Sequence, residues 1–300
     1  MRAVVDIGTN SVRLLIAEGT RPVARDMVIT RLGKGVDQNG ILGHAGIAAT
    51  ISALRRFQQL TAAHSITPTV VATSAVREAA NGARFADLVR QEVGWEVRIL
   101  SGDEEAAYSF RGAVQAMAGR LPEGPAAVVD IGGGSTEILV GTTGGSLLTG
   151  GSVPVGAVRM AERYLTSQPL AIGEREALEA AVKEKLQPLV AKARQANPRS
   201  LIAVGGTATT LAAIDLRMAE YDPELVTGYR LSENRLAELY AQLGKLSPEE
   251  LGRLAGLQPG REDIITAGAC ILLTVCRLLE FGECAVSDGD LLFGVLSSLG

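Results

Sequence analysis

The segment Val4–Ile16, VVDIGTNSVRLLI, returns without a gap as Val128–Val140, VVDIGGGSTEILV. Val4, Val5, Asp6, Ile7, Gly8, Ser11 and Leu15 meet Val128, Val129, Asp130, Ile131, Gly132, Ser135 and Leu139. Each copy opens on a β-branched apolar run broken only by its aspartate, the pattern of a buried strand. A glycine follows at once and an alternating apolar stretch resumes behind it, which predicts a β-hairpin, not the strand-to-helix turn of a dinucleotide fold. One such unit at the head of each half limits the chain to a duplicated α/β architecture. The two turns are then expected to face each other across a cleft.

Turns of this composition carry chemistry. Gly132, Gly133 and Gly134 with Ser135 and Thr136 let several backbone N–H groups converge on one anion, because no Cβ blocks the approach. Gly8, Thr9, Asn10 and Ser11 are the counterpart in the first half. Both stretches are candidate phosphate cradles; a ligand-free tight hairpin is the alternative for either copy alone. Asp130 and Glu137 flank the glycines as hard oxygen ligands suited to Mg²⁺, with Mn²⁺ also admissible, and Asp6 repeats Asp130 in the first copy.

A chain of 300 residues, 47% hydrophobic, can bury two cores. The Gly- and Pro-bearing stretch 118–125 is the expected boundary, giving domains 1–120 and 121–300, with the terminal helix packing back on the first. A net charge of −4 without a basic run speaks against a nucleic-acid partner. No segment has the apolar length to cross a bilayer and no signal-peptide layout opens the chain, so a cytoplasmic protein without a membrane partner is expected. Cys270, Cys276 and Cys284 read as core thiols. His44 and His64 are the only histidines, too little for zinc or histidine chemistry.

Along the chain, Arg31 and Lys34 sit on a glycine-rich loop as candidate phosphate contacts or solvated charges. The spacing of Ile47, Ile51, Leu54, Phe57 and Leu60 predicts a helix over 46–63. A strand over 68–72 leads to Arg77, which alone reads as a surface charge. Ser101 and Glu104 have the spacing of a capping box, which leaves Glu105 without a structural task. The second half predicts a strand over 147–155, a helix over 174–196 bent or interrupted at Pro188, a strand over 201–204 ending in Gly205-Gly206-Thr207, and a very apolar helix over 264–279. Arg261 and Asp263 before it are candidates to face the cleft, with an end-of-helix surface pair the preferred reading. A last strand over 284–287 precedes a terminal helix ending at Gly300.

These hairpins, with RLGKGV at Arg31–Val36, TSAVREAAN at Thr73–Asn81, SGDEEA at Ser101–Ala106, GGTATTLAAI at Gly205–Ile214 and VSDGDLLFGVL at Val286–Leu296, resemble the exopolyphosphatase and guanosine pentaphosphate phosphohydrolase (Ppx/GppA) family. That family lies within the acetate kinase, sugar kinase, Hsp70 and actin superfold. The resemblance implies an α/β fold of two duplicated actin-like, ribonuclease H-like domains flanking a central cleft. It also implies Glu105 as catalytic base, Arg77 as a phosphate ligand, and Gly206 and Thr207 as contacts to the phosphates or base of a nucleotide. Two departures stand out. Leu292-Phe293 replaces an Arg-Glu pair frequent in the family, and the C-terminal HD-type domain of the longer members does not follow. The implied activity is hydrolysis of the terminal phosphoanhydride of inorganic polyphosphate. Rivals are hydrolysis of guanosine pentaphosphate to the tetraphosphate, a kinase of the same superfold, and a non-catalytic polyphosphate or alarmone sensor. The implied partners are inorganic polyphosphate or guanosine pentaphosphate, with a homodimer as the assembly.

Overall fold

Both repeats fold as antiparallel hairpins with identical pairing. β1 (Arg2–Ile7) and β2 (Ser11–Glu18) run from Arg2 opposite Ala17 to Ile7 opposite Val12. In the second half, β6 (Pro125–Ile131) and β7 (Thr136–Thr142) run from Pro125 opposite Thr142 to Ile131 opposite Thr136. The computed structural model describes residues 1–19 and 21–299. It divides into two units, Met1–Tyr108 with the segment from Leu291, and Ser109–Asp290.

In the first unit, β3 (Arg21–Ile29) extends the hairpin, while β4 (Thr69–Ala72) and β5 (Val97–Ile99) add in parallel on the other side, in the order β3-β2-β1-β4-β5. The second unit repeats this plan. β8 (Leu147–Val153) flanks β7, and β9 (Ser200–Val204) and β11 (Glu283–Val286) run parallel to β6 and to each other. β10 (Arg230–Ser232) closes that edge antiparallel, in the order β10-β11-β9-β6-β7-β8. Each unit thus has the actin-like sheet expected of the duplication.

Strand alternation places the cores. Ala3, Val5 and Ile7 pack with Leu54, Phe57 and Phe85 of the helices His44–Ala63 and Gly82–Val93. Val4, Leu15, Ala17, Val71 and Leu100 meet Leu291, Leu292, Val295 and Leu296 of the terminal helix Leu291–Ser298. That helix therefore belongs to the first unit; its expected end at Gly300 lies outside the described residues. The Leu292-Phe293 departure has a local account. Leu292 is buried in this contact, and Phe293 packs against it with the Arg25 guanidinium 5.0 Å above its ring.

The division falls inside the helix Gly102–Ala116, whereas residues 118–125, where the sequence punctuates most strongly, lie wholly in the second unit. Packing decides this: Phe110 stands against Gly141, and Gly112 and Ala116 against Gly289. The helix expected to be bent or interrupted at Pro188 runs unbroken over Ile172–Arg194. Pro188 is exposed, so the carbonyl it leaves without a donor faces water. The helix Ile265–Leu279 is almost wholly buried and carries Cys270 and Cys276; Cys284 is buried on β11. Among the described residues no helix is long and apolar enough to cross a membrane.

Candidate active site

In the first hairpin, Asp6 lies opposite Arg13. Arg13 donates to Asp6 Oδ2 from Nη2 at 2.6 Å and from Nε at 3.0 Å. The turn closes with the Gly8 N–H on the Ser11 carbonyl at 3.0 Å. Its outward carbonyls are held by the chain after β3: Gly33 N–H donates to Thr9, and Thr30 and Arg31 N–H to Asn10. The Thr9 side chain points into the unit, where its hydroxyl lies 3.0 Å from that of Ser74. The buried Asn10 side-chain amide nitrogen has no partner among the described residues.

The second hairpin repeats the turn and changes its charges. Gly132 N–H again closes on the Ser135 carbonyl at 3.0 Å. The donors to its carbonyls come from a helix that the sequence pattern did not reveal, Ala157–Tyr164. Ala157 N–H donates to Gly132, and Val158 and Arg159 N–H to Gly133, so the orphan donors of a helix start secure the loop. Arg159 Nε adds a bond to the Gly134 carbonyl at 2.8 Å. Gly156 makes the approach possible, because a Cβ there would overlap the Gly133 carbonyl. Held from its carbonyl side, the turn keeps its other donors. Among the described residues the N–H groups of Gly133 and Gly134 meet no acceptor, and the Ser135 hydroxyl, 2% exposed, has no partner.

The candidate phosphate set therefore divides. Gly8 and Gly132 spend their N–H groups inside the turns. Thr9, Thr136 and Thr207 engage their hydroxyls with Ser74, Val155 and Ile131. Gly133, Gly134, Ser135 and, in the first unit's turn, Asn10 retain donors, and Ser11 is buried in that first turn.

Opposite Asp130, where the first hairpin has Arg13, stands Glu137. Two carboxylates thus stand directly across a strand pair, Glu137 only 2% exposed, a juxtaposition that is unfavourable unless the charges are compensated. Ser109, from the helix that bears Glu105, donates its hydroxyl to Asp130 Oδ2 at 2.5 Å. Ser152, opposite Glu137 on β8, donates to Glu137 Oε1. Among the described residues no cluster of three or more His, Cys, Asp or Glu is placed to hold a metal. Two carboxylates completed by water and phosphate oxygens are the manner in which Mg²⁺ binds with phosphorylated substrates, so the donor set fits that ion. Asp6, expected as a third ligand, already has a positive partner in Arg13 and belongs to the other unit's hairpin.

Glu104 and Glu105 separate as their spacing implies. Ser101 N–H donates to Glu104 Oε2 at 2.9 Å and Glu104 N–H to Ser101 Oγ at 3.2 Å, completing the capping box. The Ser101 N–H first, and then Arg98, hold the Glu104 carboxyl below its ordinary value. Glu105 is 8% exposed and accepts from Arg77 Nη1 at 2.8 Å. Arg77 also donates to the Leu100 carbonyl at 2.9 Å, so it is an anchored, largely buried residue, not a surface charge. In the second unit, Arg261 is also buried, 7% exposed, and lies over Gly206, where a Cβ would overlap its guanidinium. The surface pair read from sequence is thus wrong for Arg261. Its signal was the glycine pair at 205–206, whose lack of side chains leaves room for it.

Residues 11–299 match the Ppx/GppA phosphatase family. Exopolyphosphatase 2 of Mycobacterium tuberculosis is 35% identical, over 99% of this chain and 98% of that protein. An exopolyphosphatase from Cytophaga hutchinsonii superposes with a TM-score of 0.90 at 28% identity, covering 99% of this chain and 96% of that one. The PPX-GPPA enzyme of Aquifex aeolicus gives 0.81 at 30% identity, with 99% and 98% covered.

Proposed function

From the premise that this chain belongs to the Ppx/GppA phosphatase family and is a phosphoanhydride hydrolase, we propose that it hydrolyses the terminal phosphoanhydride of inorganic polyphosphate, releasing orthophosphate. The observation that carries this reading is the second turn: unengaged N–H groups at Gly133 and Gly134 and a buried Ser135 hydroxyl, in the same hairpin as the opposed carboxylates Asp130 and Glu137. Those three donors bind oxygens of the terminal phosphate. Asp130 and Glu137 hold Mg²⁺, or Mn²⁺ in its place. When bound, the ion offsets the charge that gathers on the phosphoryl oxygens.

Glu105 orients the attacking water and receives its proton. Phosphoryl transfer has a loose transition state, in which the nucleophile's proton moves late and alignment counts for more than base strength. A carboxylate tethered to Arg77 suits that task, because the guanidinium fixes which oxygen faces the water. Arg77 has further N–H groups with which to meet a phosphate oxygen.

The test is orthophosphate release from short polyphosphate, long polyphosphate and guanosine pentaphosphate, alone and in competition. Polyphosphate is expected to turn over and to suppress hydrolysis of the nucleotide. Preference for the pentaphosphate in direct competition would transfer the activity to alarmone hydrolysis. Glu105→Gln should lower turnover by about 10²–10⁴-fold while polyphosphate still binds; unimpaired turnover removes Glu105 from the mechanism.

A further inference from the structure

We propose that Arg159 is a positioning residue for the terminal phosphate, acting through the Gly134 carbonyl on the N–H that the same peptide unit presents to the anion. This deepens the reading of the second turn as the phosphate site and rests on it.

A trans peptide is planar, and its N–H points opposite to its C=O. Each donor of the turn is therefore aimed by whatever holds the carbonyl one residue earlier. The Gly133 N–H is aimed through the Gly132 carbonyl, which accepts from Ala157 N–H at 2.9 Å. The Gly134 N–H is aimed through the Gly133 carbonyl, which accepts from the N–H groups of Val158 at 2.9 Å and Arg159 at 3.1 Å. The third peptide, which carries the Ser135 N–H, is held differently. Its carbonyl, that of Gly134, accepts from Arg159 Nε at 2.8 Å, and among the described residues no backbone N–H reaches it. The Ser135 N–H meets no backbone acceptor among the described residues, and beside it stands the buried, unpartnered Ser135 hydroxyl.

The first turn shows that holding such a carbonyl does not require a guanidinium. Asn10, which takes the place of Gly134 there, has its carbonyl bonded by the N–H groups of Thr30 at 3.0 Å and Arg31 at 2.9 Å. Neutral backbone suffices in that hairpin. In the second the donor is cationic, and a charge-assisted bond on a carbonyl polarises its peptide, so that the N–H at the far side becomes the stronger donor. Direction and strength of the Ser135 N–H thus depend on one side chain.

The experiment measures tripolyphosphate binding by calorimetry in the Glu105→Gln background, and kcat and KM of phosphate release with Glu105 in place. Arg159→Ala should weaken binding and raise KM about ten-fold. Its kcat should stay near the parent's, since a donor that meets the phosphate before and during transfer contributes to both states alike. Methylguanidinium should return affinity to Arg159→Ala, whereas Arg159→Lys, which keeps a cation without the fixed donor geometry, should stay weak. Parent affinity in Arg159→Lys would mean that charge alone acts there, and overturns the proposal. So does an absence of rescue together with a lowered melting midpoint, which assigns the loss to packing. Parent affinity in Arg159→Ala, alongside lost affinity in Ser135→Ala, overturns the role of Arg159 and leaves the turn standing as the phosphate site. Parent affinity in Ser135→Ala removes the turn from phosphate binding, and this proposal with it. Should Arg159→Ala fail to fold, Arg159→Met, which keeps the stem without its donors, carries the same measurement, and parent affinity there overturns the proposal.

Discussion

The β1–β2 and β6–β7 hairpins share a sequence pattern, a register and a closing hydrogen bond, yet they solve opposite electrostatic problems. In the first, Asp6 faces Arg13 and the pair is complete. In the second, Asp130 faces Glu137, so the residue across the strand is a second acid. Their supports differ too. Thr30, Arg31 and Gly33 brace the first turn from a loop, whereas the first turn of the helix Ala157–Tyr164 braces the second and Gly156 lets the backbones meet. The same aspartate of the motif is thus set against a guanidinium in one hairpin and against a second acid in the other.

The strongest challenge to this contrast is to erase it. Glu137→Arg rebuilds the second hairpin in the image of the first, and phosphate release should fall by about 10³-fold in a protein whose circular dichroism is unchanged. Retained turnover would mean that the acidic pair has no part in catalysis. Less drastic is to open the first pair. Arg13→Ala strands the Asp6 carboxylate, whose side chain is 4% exposed, and because Arg13 is itself 24% exposed the cost should be about 2–3 kcal/mol, below the full buried-pair value. Urea denaturation measures it. The double variant Asp6→Asn, Arg13→Gln should recover at least half, since no charge is left unpaired; no recovery would point to lost packing of the arginine stem.

The smallest effect concerns the two adjacent glutamates of the SGDEEA motif. Glu104→Gln removes an exposed, solvent-screened interaction and should cost only about 0.2–1 kcal/mol at neutral pH. The folded state depresses the Glu104 carboxyl below 4.5. Its contribution is therefore fully present above that pH and lost as pH falls through the depressed value. The stability difference between parent and variant should close on acidification over that range, with turnover little affected throughout. A large loss of turnover would show that Glu104 shares the task given to Glu105.

Much of this was legible along the chain. The repeated hairpins, the capping box at Ser101 and the burial of all three cysteines follow from local patterns, because a turn or a cap is decided by residues within a few positions of one another. The pairing of Arg77 with Glu105 and the burial of Arg261 over Gly206 join residues far apart in sequence. No local periodicity encodes them. The helix Ala157–Tyr164 escaped for a related reason: it is short, and its start is capped by the carbonyls of a distant glycine turn instead of by a residue of its own.

By itself, then, the order of residues determined the repeated fold, the turns at the strand ends and the types of chemical group brought to them, since hydrophobic alternation and glycine's freedom act at short range. Only the tertiary structure decided which groups each aspartate of the repeat meets. That outcome depends on strand register, on which hydroxyls are carried in from another helix and strand, and on which carbonyls are already taken, and each of these is settled when the chain packs.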